Sequence, residues 1–117
     1  MGSKDRSFLD YVLRDALARV PGVVGKPMFG GWGIYQGPRF FGIVFKGRLF
    51  FKVSEDTVAG YRERGSEPFS PSARQTLKSF YEVPSEVLDA APLMADWARD
   101  AIRAAGLPKK KAGGRSK

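Results

Sequence analysis

The chain has no cysteine and no histidine among its 117 residues. That pair of absences excludes thiol nucleophiles, histidine-based catalytic triads and the usual zinc sites. A chain free of cysteine fits a reducing compartment. No run of 18 apolar residues occurs, so no membrane-spanning helix is expected. The opening MGSKDRSF lacks the apolar stretch of a signal peptide, and the expected location is the cytoplasm. What the chain does have is 43% hydrophobic and 13% aromatic residues, enough for one domain with a core that needs no metal or disulfide.

Charge is uneven. The net charge is +8, and Lys109, Lys110, Lys111, Arg115 and Lys117 supply five cations with no acid in the last nine residues. This stretch follows Gly106 and Pro108, a helix-stop signal, and holds no apolar anchor. The expected layout is a domain over residues 1–106 and a disordered basic tail over 107–117. Two readings of the tail stay open: a solvated terminus, or a weak, sequence-independent contact to nucleic acid through counterion release.

The spacing of apolar residues predicts a helix over 7–20, with Leu9, Leu13, Ala16, Leu17 and Val20 on one face and Pro21-Gly22 at its end. From there the period falls to 2. Strands are expected at 23–29, 32–35, 40–46 and 49–53, with turns at Gln36-Gly37-Pro38-Arg39 and Lys46-Gly47-Arg48. Pro27 marks the first strand as an edge or a bulge. Ser54 reads as a helix N-cap, with Glu55 and Asp56 in the first turn and a stop at Gly65. Residues 65–73 read as a loop and 76–83 as a fifth strand. A final helical region is split by Pro92, with Met94, Trp97, Ala98, Ala101 and Ala105 as its buried stripe. The fold class is α+β: one antiparallel sheet of about five strands, helices mainly on one face, in the order α-β-β-β-β-α-β-α.

The chemistry-bearing residues are sparse. Gly30-Gly31-Trp32-Gly33 has neither the spacing of a dinucleotide fingerprint nor the Gly-Lys-Ser/Thr ending of a P-loop. It reads as a tight strand crossing with Trp32 over the core. Glu55-Asp56 fit a helix start, and Glu82, Glu86, Asp89, Asp96 and Asp100 are scattered, so no acid–base pair, metal site or cofactor site is expected. Strict alternation puts Phe41, Ile43 and Phe45 on one sheet face with Leu49 and Phe51. Tyr35, Phe40, Phe50 and Phe29 then lie on the other. If helices cover only the first face, Tyr35, Phe40 and Phe50 form a surface for a protein partner or a second copy of the chain. If the last helices cover it, they are core. A third reading sees base-stacking aromatics beside Arg39, Lys46, Arg48 and Lys52.

Met28-Phe29-Gly30-Gly31, Gly33-Ile34-Tyr35, Phe41-Gly42-Ile43-Val44, Leu49-Phe50-Phe51-Lys52-Val53 and Tyr81-Glu82-Val83-Pro84 together resemble the N-terminal domain of the TfoX/Sxy proteins. The resemblance spans about residues 7–105. It implies a non-enzymatic domain tied to competence and transcription, because larger family members regulate DNA uptake with the cyclic-AMP receptor protein. Those members carry a second helical domain; this chain has the basic tail there. The resemblance supplies no catalytic residue. The function expected is a regulatory adaptor acting through protein partners, the transcription machinery among them. The alternatives are a weak nucleic-acid-binding module or a small-ligand-binding protein.

Overall fold

Two tight turns set the sheet in register. The computed structural model describes residues 6–28, 30–72 and 74–106. Strands β1 (Val23–Met28), β2 (Gly31–Gln36), β3 (Arg39–Phe45) and β4 (Arg48–Lys52) form an antiparallel meander. Gly37-Pro38 links β2 to β3, with Gly37 at φ +59°. Lys46-Gly47 links β3 to β4 with φ +53° and +76°, the left-handed pair that a two-residue hairpin of matching twist requires. Lys46 adopts that backbone without being glycine, a strain the neighbouring strands hold in place.

The sheet has six strands, in the order β1-β2-β3-β4-β6-β5. The strand expected at 76–83 is β6 (Gln75–Glu82), and β5 (Pro68–Ser72) lies within the segment read as a loop. Prolines disguised β5, but an edge strand tolerates them because its outward N–H groups need no partner. Both edges carry such guards, Pro27 and Lys26 on β1 and Pro68 and Pro71 on β5, which blunt edge-to-edge pairing.

The helices shift from expectation at their ends. The first is α-helical only over α1 (Arg6–Tyr11), then widens to a π-helical turn at Val12–Ala16, where the Leu17 N–H donates to the Val12 carbonyl at 2.9 Å. Ser54 does not cap a helix directly. Its Oγ accepts from the Asp56 N–H at 3.2 Å and its N–H donates to Thr57 Oγ1 at 2.9 Å, so a turn precedes α2 (Val58–Glu63). A short α3 (Ser85–Leu88) leads to α4 (Ala91–Ala105), with Pro92 in its first turn as expected.

The main core lies between α1, the π-helical turn, α4 and one sheet face. Leu9, Val12 and Leu17 meet Ile34, Phe41, Val44 and Phe51, and Met94, Ala98 and Ala101 close the other side. Trp32, 7% exposed, is part of this core, in line with its reading as an anchor. Gly25 gives α1 room: a Cβ there would stand 3.1 Å from the Leu9 side chain.

Alternation misassigned Ile43 and Phe45. A bulge between Ile34 and Tyr35 in the β2–β3 register admits Phe41 as an extra residue. Phe41 and Val44 therefore both reach the helix-covered face, while Ile43 and Phe45 join Phe40 and Phe50 on the other.

Tyr61 on α2 is buried between α4 and β6, its ring 4.6 Å from Trp97 and 6.1 Å from Tyr81. Burial, and then the negative charge of Asp100, push its phenol well above the ordinary 10.0. A raised pKa keeps the native state neutral while the unfolded phenol ionises. The stability this provides is complete below pH 10 and is lost as pH rises above it, at a limiting slope of about 1.4 kcal/mol per pH unit. Urea midpoints of the wild type should therefore fall faster between neutral and strongly alkaline pH than those of Tyr61→Phe. Parallel curves would show that Tyr61 ionises freely in the native protein.

Candidate functional site

The sheet face turned away from the helices holds a second, smaller core and an open aromatic strip. Ile43, Phe50, Phe69 and Phe80 are buried there, with Phe40, Phe45 and Leu77 packed against them. Phe69 creates this core. Two register shifts bend β5 over the face, so that the Phe69 ring lies 4.9 Å from Phe50, across β6, and 5.3 Å from Phe45, across β6 and β4. Phe50 is only 5% exposed under it and is removed from the partner surface proposed for it by sequence. Tyr35 and Phe40 remain half-buried on the expected face.

Beyond the Phe69 cover, the rings form a column across the strands. Tyr35 stacks on Phe40 at 5.1 Å and 25°, and Phe40 leans on Phe80 at 5.1 Å. Two lysines stand by the rings: Lys26 Nζ, from β1, lies 4.9 Å from the Tyr35 ring, and Lys52 Nζ, from β4 between the strands of Phe40 and Phe80, lies 5.4 Å from the Phe80 ring. Tyr35 and Phe40 keep part of their surface open to solvent, whereas Phe80 is buried. Gly33 makes the column possible, since a Cβ there would press on Met28 Sδ at 2.7 Å, Tyr35 at 3.1 Å and Phe40 at 3.2 Å. Val24, 48% exposed, continues the strip on β1 opposite Tyr35.

Of the basic residues named beside the aromatics, Lys52 flanks the column and Lys46 stands 5.3 Å from Phe45. Arg48 pairs with Glu82 at 3.7 Å, and Arg39 packs on Gly106 at the end of α4 instead. Lys26, Met28 and Phe80 are members that sequence reading missed. Period-2 alternation of Val24, Lys26 and Met28 carried the signal for β1, but their partners became visible only through the β1–β2 register. Phe29, Lys109, Lys110, Lys111, Arg115 and Lys117 lie outside the described residues.

A cleft of about 390 Å³ opens beside the strip, lined by Phe45, Arg48, Phe50, Pro68, Pro71 and Glu82 among others. Its Arg48–Glu82 pair is largely exposed. Among the described residues no group of three acidic side chains gathers to hold a metal ion, and no helix is long and apolar enough to cross a membrane. The glycines of the 30–33 segment act structurally by different routes. Gly30 has φ +79°, Gly31 lies against the β3 backbone, and Gly33 leaves space for the column.

Comparison with curated proteins gives no significant match. Residues 15–105 match the TfoX N-terminal domain, a span that runs from the π-helical turn through every strand to the last turn of α4. The whole sheet, α2 to α4 and the aromatic strip fall within that span, with α1 ahead of it, and the chain belongs to the TfoX N-terminal domain family.

Proposed function

We propose that the chain is a non-catalytic regulatory adaptor that acts in transcription by docking a protein partner on the open sheet face. The observation that carries this reading is the strip of Val24, Tyr35 and Phe40, apolar, incompletely covered, and framed by lysines on a rigid sheet. A surface of this kind loses water favourably on docking, while its charged rim sets orientation. The family's larger members regulate competence genes, and the same cellular setting is proposed for this chain.

The test places a photo-crosslinking phenylalanine at Val24, on the strip, and at Arg99, on the exposed side of α4. Irradiation in the native cell should give a discrete adduct from position 24 to an RNA polymerase subunit or a DNA-bound regulator, and none from position 99. Adducts from 99 alone, an adduct to a protein outside transcription, or crosslinks to DNA in place of protein would each reject the reading. The DNA result would favour the nucleic-acid-binding alternative.

A further inference from the structure

We propose that the cleft between the β3–β4 hairpin and β5 binds a small zwitterion of dipeptide to tripeptide size. Its carboxylate faces Lys46 and Arg48, and its ammonium group faces Glu67 and Glu82. The cleft is separate from the docking strip, since Val24, Tyr35 and Phe40 do not line it. Its volume, about 390 Å³, lies within the range of small-molecule sites.

Strand order sorts the charges. Lys46 lies in the β3–β4 turn, and Arg48 opens β4 opposite Phe45. Glu82 stands across from Phe50 on β6, and the Glu67 carbonyl, just ahead of β5, accepts from the Glu82 N–H at 3.0 Å. Because β4, β6 and β5 lie side by side in that order, both cations are toward the hairpin and both acids toward β5. Phe45 and Phe50 add apolar surface from the sheet, and Pro68 and Pro71 add it from β5.

These charges are not consumed within the domain. Arg48 Nη1 and Glu82 Oε1 are 3.7 Å apart, beyond hydrogen-bond reach, and both side chains meet solvent. Neither Lys46 nor Glu67 has an ion-pair partner among the described residues. Lys46 also holds φ +53°, a conformation that glycine, asparagine and aspartate adopt more readily. A lysine kept there weakens the hairpin and adds a cation to the cleft.

Other ligand classes fit less well. A phosphate would meet Glu67 and Glu82, and a polyamine would meet Lys46 and Arg48. An uncharged apolar compound would take water from all four charges and return nothing. A zwitterion satisfies both sides. Arg48 and Glu67 are two strand intervals apart, about 10 Å, which an extended peptide covers in about three residues.

The experiment is an NMR titration of the isotope-labelled protein with glycyl-leucyl-glycine, its N-acetyl form and its C-terminal amide. The free tripeptide should saturate with a Kd of about 0.1 to 1 mM, as suits a ligand of its size. Shifts should gather at the amides of Lys46, Gly47, Arg48, Phe69 and Ser70. Each blocked form should bind about three- to tenfold more weakly. Lys46→Gly combined with Arg48→Gln should make the free tripeptide and its amide bind alike. Glu67→Gln combined with Glu82→Gln should do the same for the free and acetylated forms. Arg99→Gln should change nothing. Lys46→Gly alone should weaken binding while raising the urea midpoint, which separates a lost contact from a lost fold. Absence of saturable shifts in the millimolar range, equal binding of the blocked forms by the wild type, or shifts confined to the Tyr35–Phe40 strip would each overturn the proposal. The crosslink from position 24 tests the docking reading separately.

Discussion

Replacing Gly31 by valine is expected to remove about 3 kcal/mol or more of folding free energy, a large part of what a domain of this size has. The cause is contact with main chain. A Cβ on Gly31 would stand against the Val44 carbonyl oxygen and 3.3 Å from Phe45 Cα, both in β3. A side chain in that position would swing aside; a carbonyl fixed in the ladder moves only if β2 and β3 separate. Separation would break pairing at the Trp32–Val44 end of the register and open the core beneath Trp32. Urea denaturation measures the loss. Gly60→Ala is the matched control, because Gly60 lies inside α2 with nothing within 4 Å of the added methyl. That change should be neutral or stabilise by up to about 1 kcal/mol. A Gly31→Val protein with the wild-type midpoint would show that the strands part at little cost.

Much of this architecture was legible because local and long-range signals agreed. The two hairpins announced themselves through Gly37 and Gly47 between alternating aromatics, and Pro92 marked the start of α4. The split into a covered and an open face was legible too, since Tyr35 and Phe40 fall where alternation puts them. What alternation cannot show is an inserted residue. The bulge beside Phe41 moved Ile43 and Phe45 to the opposite face, and no local composition marks it. Strand β5 was hidden for the opposite reason: Pro68 and Pro71 gave strong local turn signals that pairing with β6 overrode. The site suffered from the same limits. Lys26, Tyr35, Phe40 and Phe80 come from four strands, and only the assembled register stacks them in one row.

Phe69→Ala should cost about 3–5 kcal/mol, the range for truncating a buried phenylalanine, although it lies on a five-residue edge strand. Phe69 is fully buried, and it is the one residue of β5 that is. Its ring meets Phe50 and Phe45 edge-on, an arrangement that adds to simple area burial. Without it, β5 keeps its ladder to β6 but loses the contact that folds it over the open face. Phe50 and Phe80 would then be exposed to water, and the column would lose the floor under Phe80. Hydrogen exchange should accordingly rise first in β5 and β6, with β2 and β3 protected until global unfolding. Phe69→Leu should retain more of the stability, because it still fills part of the site. An alanine variant with unchanged midpoint and unchanged exchange in β5 would mean that the strand is held by its ladder alone. The rings of the open face would then owe their order to the β1–β4 meander.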